Sequence, residues 1–427
     1  MTNTLRLTGR VSAIALAAGL AAGAAQAQEL RFMCYQDGVE CDAWAAQFAR
    51  FSADNPGITV MVDVVPYAAI LESLPVQLEV GEGPDLARVT DYGGLARFML
   101  DVRPFVSDAA AIEERYGQSL AWARVGDNNP DGIYNIVDQL TATGGFANAT
   151  LFEQAGIEMP APGSTWAEWA AAATAVRDAT GVDFAMAIDR TGHRFAAPAM
   201  SYGAAIFGPD GDPILVDDGF RAFAEQFVAW HADGTMARDV WAGAGGGTYQ
   251  DAAAEFINAN LVMYYSGSWQ IGRFGRDIGD AFDWVATGGI CGPAACTGMP
   301  GGAGVVGFKH TRHPEAVGKL IEFIARDDVQ AEVLAQTRNI PANAVLQARG
   351  IEYQGVTEDV AAALVAFASA VPTFIDTAFA LQGYANNRAI FTATPARITQ
   401  AIVGELTLDE ALARLDQDVA EAIAATR

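Results

Sequence analysis

The stretch Ala252-Ala253-Ala254-Glu255-Phe256-Ile257-Asn258-Ala259-Asn260-Leu261-Val262-Met263-Tyr264-Tyr265-Ser266-Gly267-Ser268-Trp269 reads as a helix, a short apolar strand over Leu261 to Tyr265, and the opening of the next element. In open α/β sheets, ligands sit in the loops at the carboxyl ends of strands, and this loop offers aromatics, hydroxyls and backbone amides. Such an inventory suits a sugar, whose C–H face lies on an aromatic ring and whose hydroxyls need buried partners. For any single aromatic in such a strand a place in the core is the commoner role, so the rest of the chain has to decide.

Residues 1–27 carry Arg6 and Arg10, an apolar run from Val11 to Leu20, and Ala25-Gln26-Ala27, the pattern of a secretory signal cleaved after Ala27. The position immediately after that cleavage point, Gln28, is not a cysteine, so a soluble exported (periplasmic) protein without a lipid anchor is expected. No later segment is apolar for long enough to span a bilayer. Of 26 lysines and arginines two lie in the signal, leaving 24 against 51 acids, a net charge near −27. Such a field disfavours nucleic acid and anionic lipid as partners. Roughly 400 mature residues exceed one ordinary core, and two α/β domains are the expectation at that length.

The four cysteines fall into two close pairs, Cys34 with Cys41 and Cys291 with Cys296. In an oxidising compartment two local disulfides are the economical reading, although four cysteines permit three connectivities. His193, His231, His310 and His313 show no spacing that joins the cysteines into a metal site, and neither metal nor cofactor is expected.

A strand over Glu29 to Cys34, a helix from about Ala43 to Ser52 and a strand from Ile58 to Val65 make a βαβ unit. A helix from about Ala68 to Val80 and a strand from Asp85 to Val89 repeat the pattern, ending in the polar tip Thr90-Asp91-Tyr92. The extended, non-helical stretch from Gly132 to Phe146 reads as a first crossing between domains. Thr165 with Glu168 caps an Ala-rich helix that stops near Gly181. Second and third crossings are expected at Met299 to Gly304 and near Arg338 to Pro341, and the tail from Leu406 onward is an amphipathic helix. The two domains are therefore interleaved rather than tandem.

Several motifs carry little. Gly302-x-Gly304-x-x-Gly307 matches the dinucleotide fingerprint literally but sits in an apparent strand, and the glycine run 243–247 lacks the ending of a phosphate loop. That run serves a binding loop or a plain connector equally well. No nucleophile elbow, triad or paired carboxylate can be defended from spacing, so no catalytic residue is assigned. Asp189 to Arg194 is a dense polar loop suited to gripping adjacent hydroxyls, or simply a solvated one, and Trp241 shares that ambiguity.

Taken in order, Gly83-Pro84-Asp85-Leu86-Ala87-Arg88-Val89, residues 148–156 with Thr165-Trp166-Ala167-Glu168-Trp169, residues 256–269, Gly301-Gly302-Ala303-Gly304 and Asn339-Ile340-Pro341-Ala342 resemble the solute-binding proteins of carbohydrate ABC importers, the branch that includes maltose-binding protein. The resemblance covers nearly the whole mature chain. It implies an α/β fold of two lobes joined by three hinge crossings, a first lobe of residues 28–137 and 302–340, and a second of 138–301 and 341–427. It also implies a monomer that binds a sugar in the interlobe cleft and presents it to a membrane permease. Carried over by position, Tyr35, Gln36, Asp37, Asp91 and Tyr92 are the first-lobe contacts, and Tyr265, Ser268 and Trp269 form a stacking wall. Gly301 and Gly302 bring backbone near the ligand; Gln139, Arg190, Arg194 and Trp241 complete the candidate site. A polyol or other polar solute is the rival ligand, and an exported glycan hydrolase is the rival class.

Overall fold

The computed structural model describes residues 1–2 and 28–425; the expected signal segment lies almost wholly outside the described residues. The main sheet comprises β1 (Gln28–Cys34), β2 (Ile58–Val64), β3 (Leu86–Val89), β4 (Asn135–Asn148), β5 (Phe184–Ile188), β6 (Leu261–Gly267), β7 (Trp284–Gly288) and β8 (Pro300–Gly307). Their order is β2-β1-β3-β8-β4-β6-β5, with β7 also on β4. The expected parallel pair of β1 and β2 is present in full register, from Gln28 opposite Ile58 to Cys34 opposite Val64. Among the described residues no single helix is long and apolar enough to cross a membrane.

β4 is the shared spine of the two lobes. Its first half runs antiparallel to β8, with Val306 opposite Asn135 and Pro300 opposite Ala142. Its second half runs antiparallel to β6, with Thr143 opposite Gly267 and Ala147 opposite Met263. Two residues before the change of partner at Ala142–Thr143, Leu140 faces Gly302 of β8 and also bridges Ile340, whose carbonyl accepts from the Leu140 N–H at 2.9 Å. All three expected crossings thus meet at Leu140. β8 begins at Pro300, so the glycine-rich run lies inside a strand, where each missing side chain lets neighbouring backbone approach.

The Ala-rich helix Trp166–Thr180 starts with the expected capping box, in which Thr165 and Glu168 exchange hydrogen bonds. The helix expected over residues 68–80 is split: Ala69–Ser73 is π-helical and Leu74–Glu79 α-helical. Pro75 lacks the N–H that would continue a regular ladder, which accounts for the break.

Phe32, Trp44, Phe48, Leu320 and Ile321 pack under the first-lobe strands. Phe146 of β4 is fully buried in the second lobe, with its ring centroid 4.9 Å from Phe274, 5.2 Å from Phe367 and 5.8 Å from Trp284. The short helix Ala344–Arg349 packs on the helix Ala109–Leu120, held by Asn343, whose amide donates to Asp327 at 2.8 Å. Because the rings around Phe146 belong to separate helices and strands that cannot all collapse into a void, Phe146→Ala should cost about 3–5 kcal/mol in urea unfolding. A loss below about 1 kcal/mol would show that this cluster is not the second-lobe core.

Candidate functional site

A cavity of about 570 Å³ opens between the lobes at the carboxyl ends of β1, β3 and β5, within the range of small-molecule sites. Its first wall includes Tyr35, Asp37, Tyr67, Glu72, Thr90 and Asp91. The loop after β1 is pinned on every side. The Cys34–Cys41 disulfide brackets it, and the buried Glu40 carboxylate accepts from the N–H groups of Asp37 at 3.1 Å and Gly38 at 2.8 Å. The Tyr35 ring lies beneath the Arg88 guanidinium at 4.6 Å and against Tyr67, whose hydroxyl bonds Thr90 at 2.8 Å.

Asp37 is solvent-exposed in the cleft, yet protein atoms crowd its carboxylate and desolvate it in part. That desolvation, with Glu40 adding to it and Arg88 and Arg194 opposing, raises its carboxyl to about 6. Asp91 is raised as well, by burial first, although one oxygen accepts from Gly94 N–H at 3.0 Å.

The floor is Gln139 and Thr141 of β4 with Gly301, Gly302 and Ala303 of β8. The Gln139 carbonyl accepts from Arg88 and its amide donates to Asn339 at 2.8 Å, so it shapes the floor with both polar ends already engaged.

The second wall contains Thr191, His193, Arg194, Gly247, Thr248, Tyr249 and Trp269, closed by Gln382, Asn387, Arg388, Phe391 and Thr392 from the C-terminal helices. The Arg194 guanidinium lies 4.0 Å over the Trp269 ring, and its Nη1 donates to His193 Nδ1 at 2.5 Å. His193 Nε2 then faces the Pro300 carbonyl and Gln382 Oε1, both at 3.2 Å. These partners suit a neutral imidazole protonated on Nε2. Burial, reinforced by the neighbouring Arg194 charge, accordingly pushes the His193 pKa down to about 3.

Several expected contacts stand elsewhere. Tyr265 is fully buried, its hydroxyl bonded to Thr143 at 3.0 Å and its ring edge on Trp166. Ser268 is buried too, and its hydroxyl accepts from Ala142 N–H at 3.1 Å. β6 lies between β4 and β5 with both faces covered, so neither face of this strand looks into the cleft. Tyr92 is buried and donates to the Gly302 carbonyl at 3.3 Å, supporting the floor from behind. Trp241 is core, its Nε1 donating to the Ile188 carbonyl at 2.8 Å. Arg190 is fully buried behind the second wall. Gln36 is exposed, and its side-chain carbonyl accepts from Cys41 N–H at 3.2 Å instead of lining the cavity.

Trp269 does line the cavity, but Arg194 covers one face, and Gly267 lies so close that an added Cβ would fall 1.9 Å from the indole. A guanidinium backed by indole, rather than a bare indole face, therefore forms this part of the wall. Tyr67, Tyr249, Asn387 and Arg388 were missed as candidates. Tyr67 could have been found, because it follows the end of β2 by three residues; Asn387 and Arg388 arrive from a distant helix with no local signal. The Cys291–Cys296 pair closes a two-stranded ribbon that leads into β8 and does not line the cavity. Among the described residues no group of three His, Cys, Asp or Glu could hold a metal ion.

Residues 39–331 match the family model for the bacterial extracellular solute-binding protein. A Brucella abortus (strain 2308) protein named only as a binding protein is 23% identical over 308 residues, covering 69% of this chain and 71% of its own. An ABC substrate-binding protein of Listeria monocytogenes, solved with cycloalternan, superposes with a TM-score of 0.78 at 18% identity, covering 93% of this chain and 99% of that one. A maltose-bound T. maritima protein gives 0.75 at 15% identity, covering 93% and 100%. With a family model matching well over half its length and its cavity set between two lobes, the chain belongs to the bacterial extracellular solute-binding proteins.

Proposed function

We propose that this protein captures a sugar or oligosaccharide in the interlobe cavity and delivers it to the permease of an ABC importer, acting as an exported monomer without a lipid anchor. The observation that carries the reading is the composition of the two walls. Asp37 and Arg194 face one cavity from opposite lobes, with Arg388 and Asn387 beside them and the rings of Tyr35, Tyr67 and Trp269 behind. Carboxylate, guanidinium and amide groups bind adjacent hydroxyls, while rings take the apolar face of a pyranose. The sugars bound by the Listeria and T. maritima proteins support the same class. The family consists of binding proteins, so the ligand is expected to leave unchanged.

Capture follows from the hinge at Leu140. A solute that touches both walls favours the closed arrangement only by the contacts it gains there. Wrong solutes are rejected because they leave Asp37 or Arg388 without a partner in a narrowing cavity.

Calorimetric titration with maltose, longer malto-oligosaccharides, cyclic glucans, ketohexoses and polyols should give micromolar or tighter binding for at least one sugar, with no cleavage of the recovered ligand. Silence across the sugars with binding of a polyol would replace the ligand class, and release of cleaved product would replace the receptor by a hydrolase. Arg194→Ala should weaken the bound sugar at least tenfold, about 1.4 kcal/mol, whereas Tyr265→Phe should leave affinity unchanged because that hydroxyl is spent on Thr143. His193 supplies a pH prediction. Its folded pKa lies below the unfolded value near 6.5, so the unfolded chain gains a proton first and this site's contribution to stability falls as pH drops from about 6.5 toward 3. NMR should show its ring neutral from pH 8 to about 5; a midpoint near 6.5 would mean that the ring is not buried between Arg194, Pro300 and Gln382.

A further inference from the structure

Asp189 and Arg190 follow β5 directly and are both fully buried, with opposite charges that reach in different directions. Arg190 spends its guanidinium on neutral acceptors: the carbonyls of Thr248 at 2.5 Å, Gly246 at 2.7 Å, Trp241 at 3.2 Å and Pro395 at 3.3 Å, and the Thr399 hydroxyl at 3.2 Å. Its backbone N–H donates to the Gln250 carbonyl at 2.8 Å. Asp189 accepts from the hydroxyls of Tyr264, of Ser266 at 2.6 Å and of Tyr249 at 3.1 Å, with Arg194 Nε 3.8 Å away.

Burying two charges is costly unless every polar atom finds a partner, and here four of those contacts fall on one short segment. Residues 246, 248, 249 and 250 are each gripped by this dipeptide. Gly247 between them sits so close to the C-terminal helix that a Cβ would fall 2.2 Å from Thr392 Cγ2. The segment gripped is the one that carries Gly247, Thr248 and Tyr249 to the cavity, and Arg194, steadied by the same carboxylate, is their neighbour in the wall.

We propose that Asp189 and Arg190 are positioning residues that hold the glycine-rich segment 243–250, and through it Tyr249, against the solute cavity. The pair sets the second wall without touching ligand. The proposal rests on the reading that this cavity takes the solute.

Hydrogen exchange followed by mass spectrometry on the ligand-free protein tests the grip without any solute. In Arg190→Met the amides of 243–250 should exchange at least tenfold faster while β5 and β6 keep wild-type protection, and Arg190→Lys should restore part of the difference. Tyr249→Phe removes only the hydroxyl bond to Asp189 and should loosen 248–250 alone, so the proposal stays testable if Arg190→Met fails to fold. Unchanged exchange in the segment, or uniform loosening of the whole second lobe, overturns it. Calorimetry with maltose adds the functional arm: Asp189→Asn and Tyr249→Phe should each weaken binding about tenfold, and the double variant no further. Losses that multiply would break the route through Tyr249. If the wild type ignores maltose, the same arm is run with whichever solute of the panel binds; if no sugar binds, that failure falls on the sugar reading, and exchange alone decides the role of the pair.

Discussion

Arg88 is the constraint on which the cleft depends. It is fully buried on β3, and its Nε donates to Asp138 at 3.0 Å, its Nη1 to the Tyr35 carbonyl at 3.1 Å and its Nη2 to Gln139. Asp138 is steadied in turn by the Trp44 indole N–H at 2.7 Å. From Gln139 the network passes to Asn339, whose amide donates to Glu40 at 3.2 Å, and Glu40 holds the loop of Asp37 and Gly38. One buried cation therefore ties the first crossing, the third crossing and the first-lobe binding loop together. A buried ion pair contributes little net stability against an apolar replacement, so its effect here is geometric: it allows few alternative arrangements of the groups it joins.

The second lobe solves the same problem with a different device. Where the first lobe uses a disulfide and a carboxylate to fix a short loop, the second uses the adjacent charges of Asp189 and Arg190 to fix a longer, glycine-rich one. The two walls also differ in charge. The first presents Asp37, Glu72 and Asp91, the second Arg194 and Arg388. Opposite signs across a cleft favour approach of the lobes, and a guest rich in hydroxyls can satisfy both without carrying charge itself.

Between the walls, the crossings converge on Leu140 of β4, paired with Gly302 on one side and Ile340 on the other. Three chain passages thus meet at one strand position, the arrangement that the proposed closure of the lobes about a hinge requires. The small residues of β8 let the floor of the cavity and the meeting point of the crossings share the same backbone.

Much of the fold was legible in the amino-acid order because it rests on local physics. The strands β1 and β2 with their intervening helix, the Thr165–Glu168 cap and the extended character of residues 132–146 follow from periodicity, turn chemistry and capping groups close in the chain. The cavity lining was legible where a strand end feeds the cleft, as at Tyr35, Asp37 and Asp91, in the polar run that carries Arg194, in the crossings at Gln139, Gly301 and Gly302, and at Trp269. Tyr265, Ser268, Tyr92 and Trp241 have the chemistry of contacts, yet tertiary packing gives their polar atoms backbone or hydroxyl partners inside the core. Arg388 and Asn387 reach the cavity from the far end of the chain. Residue type and local order determined which elements form; which side chains face the gap depended on the covering of both sheet faces and on long-range packing, neither of which a local pattern encodes.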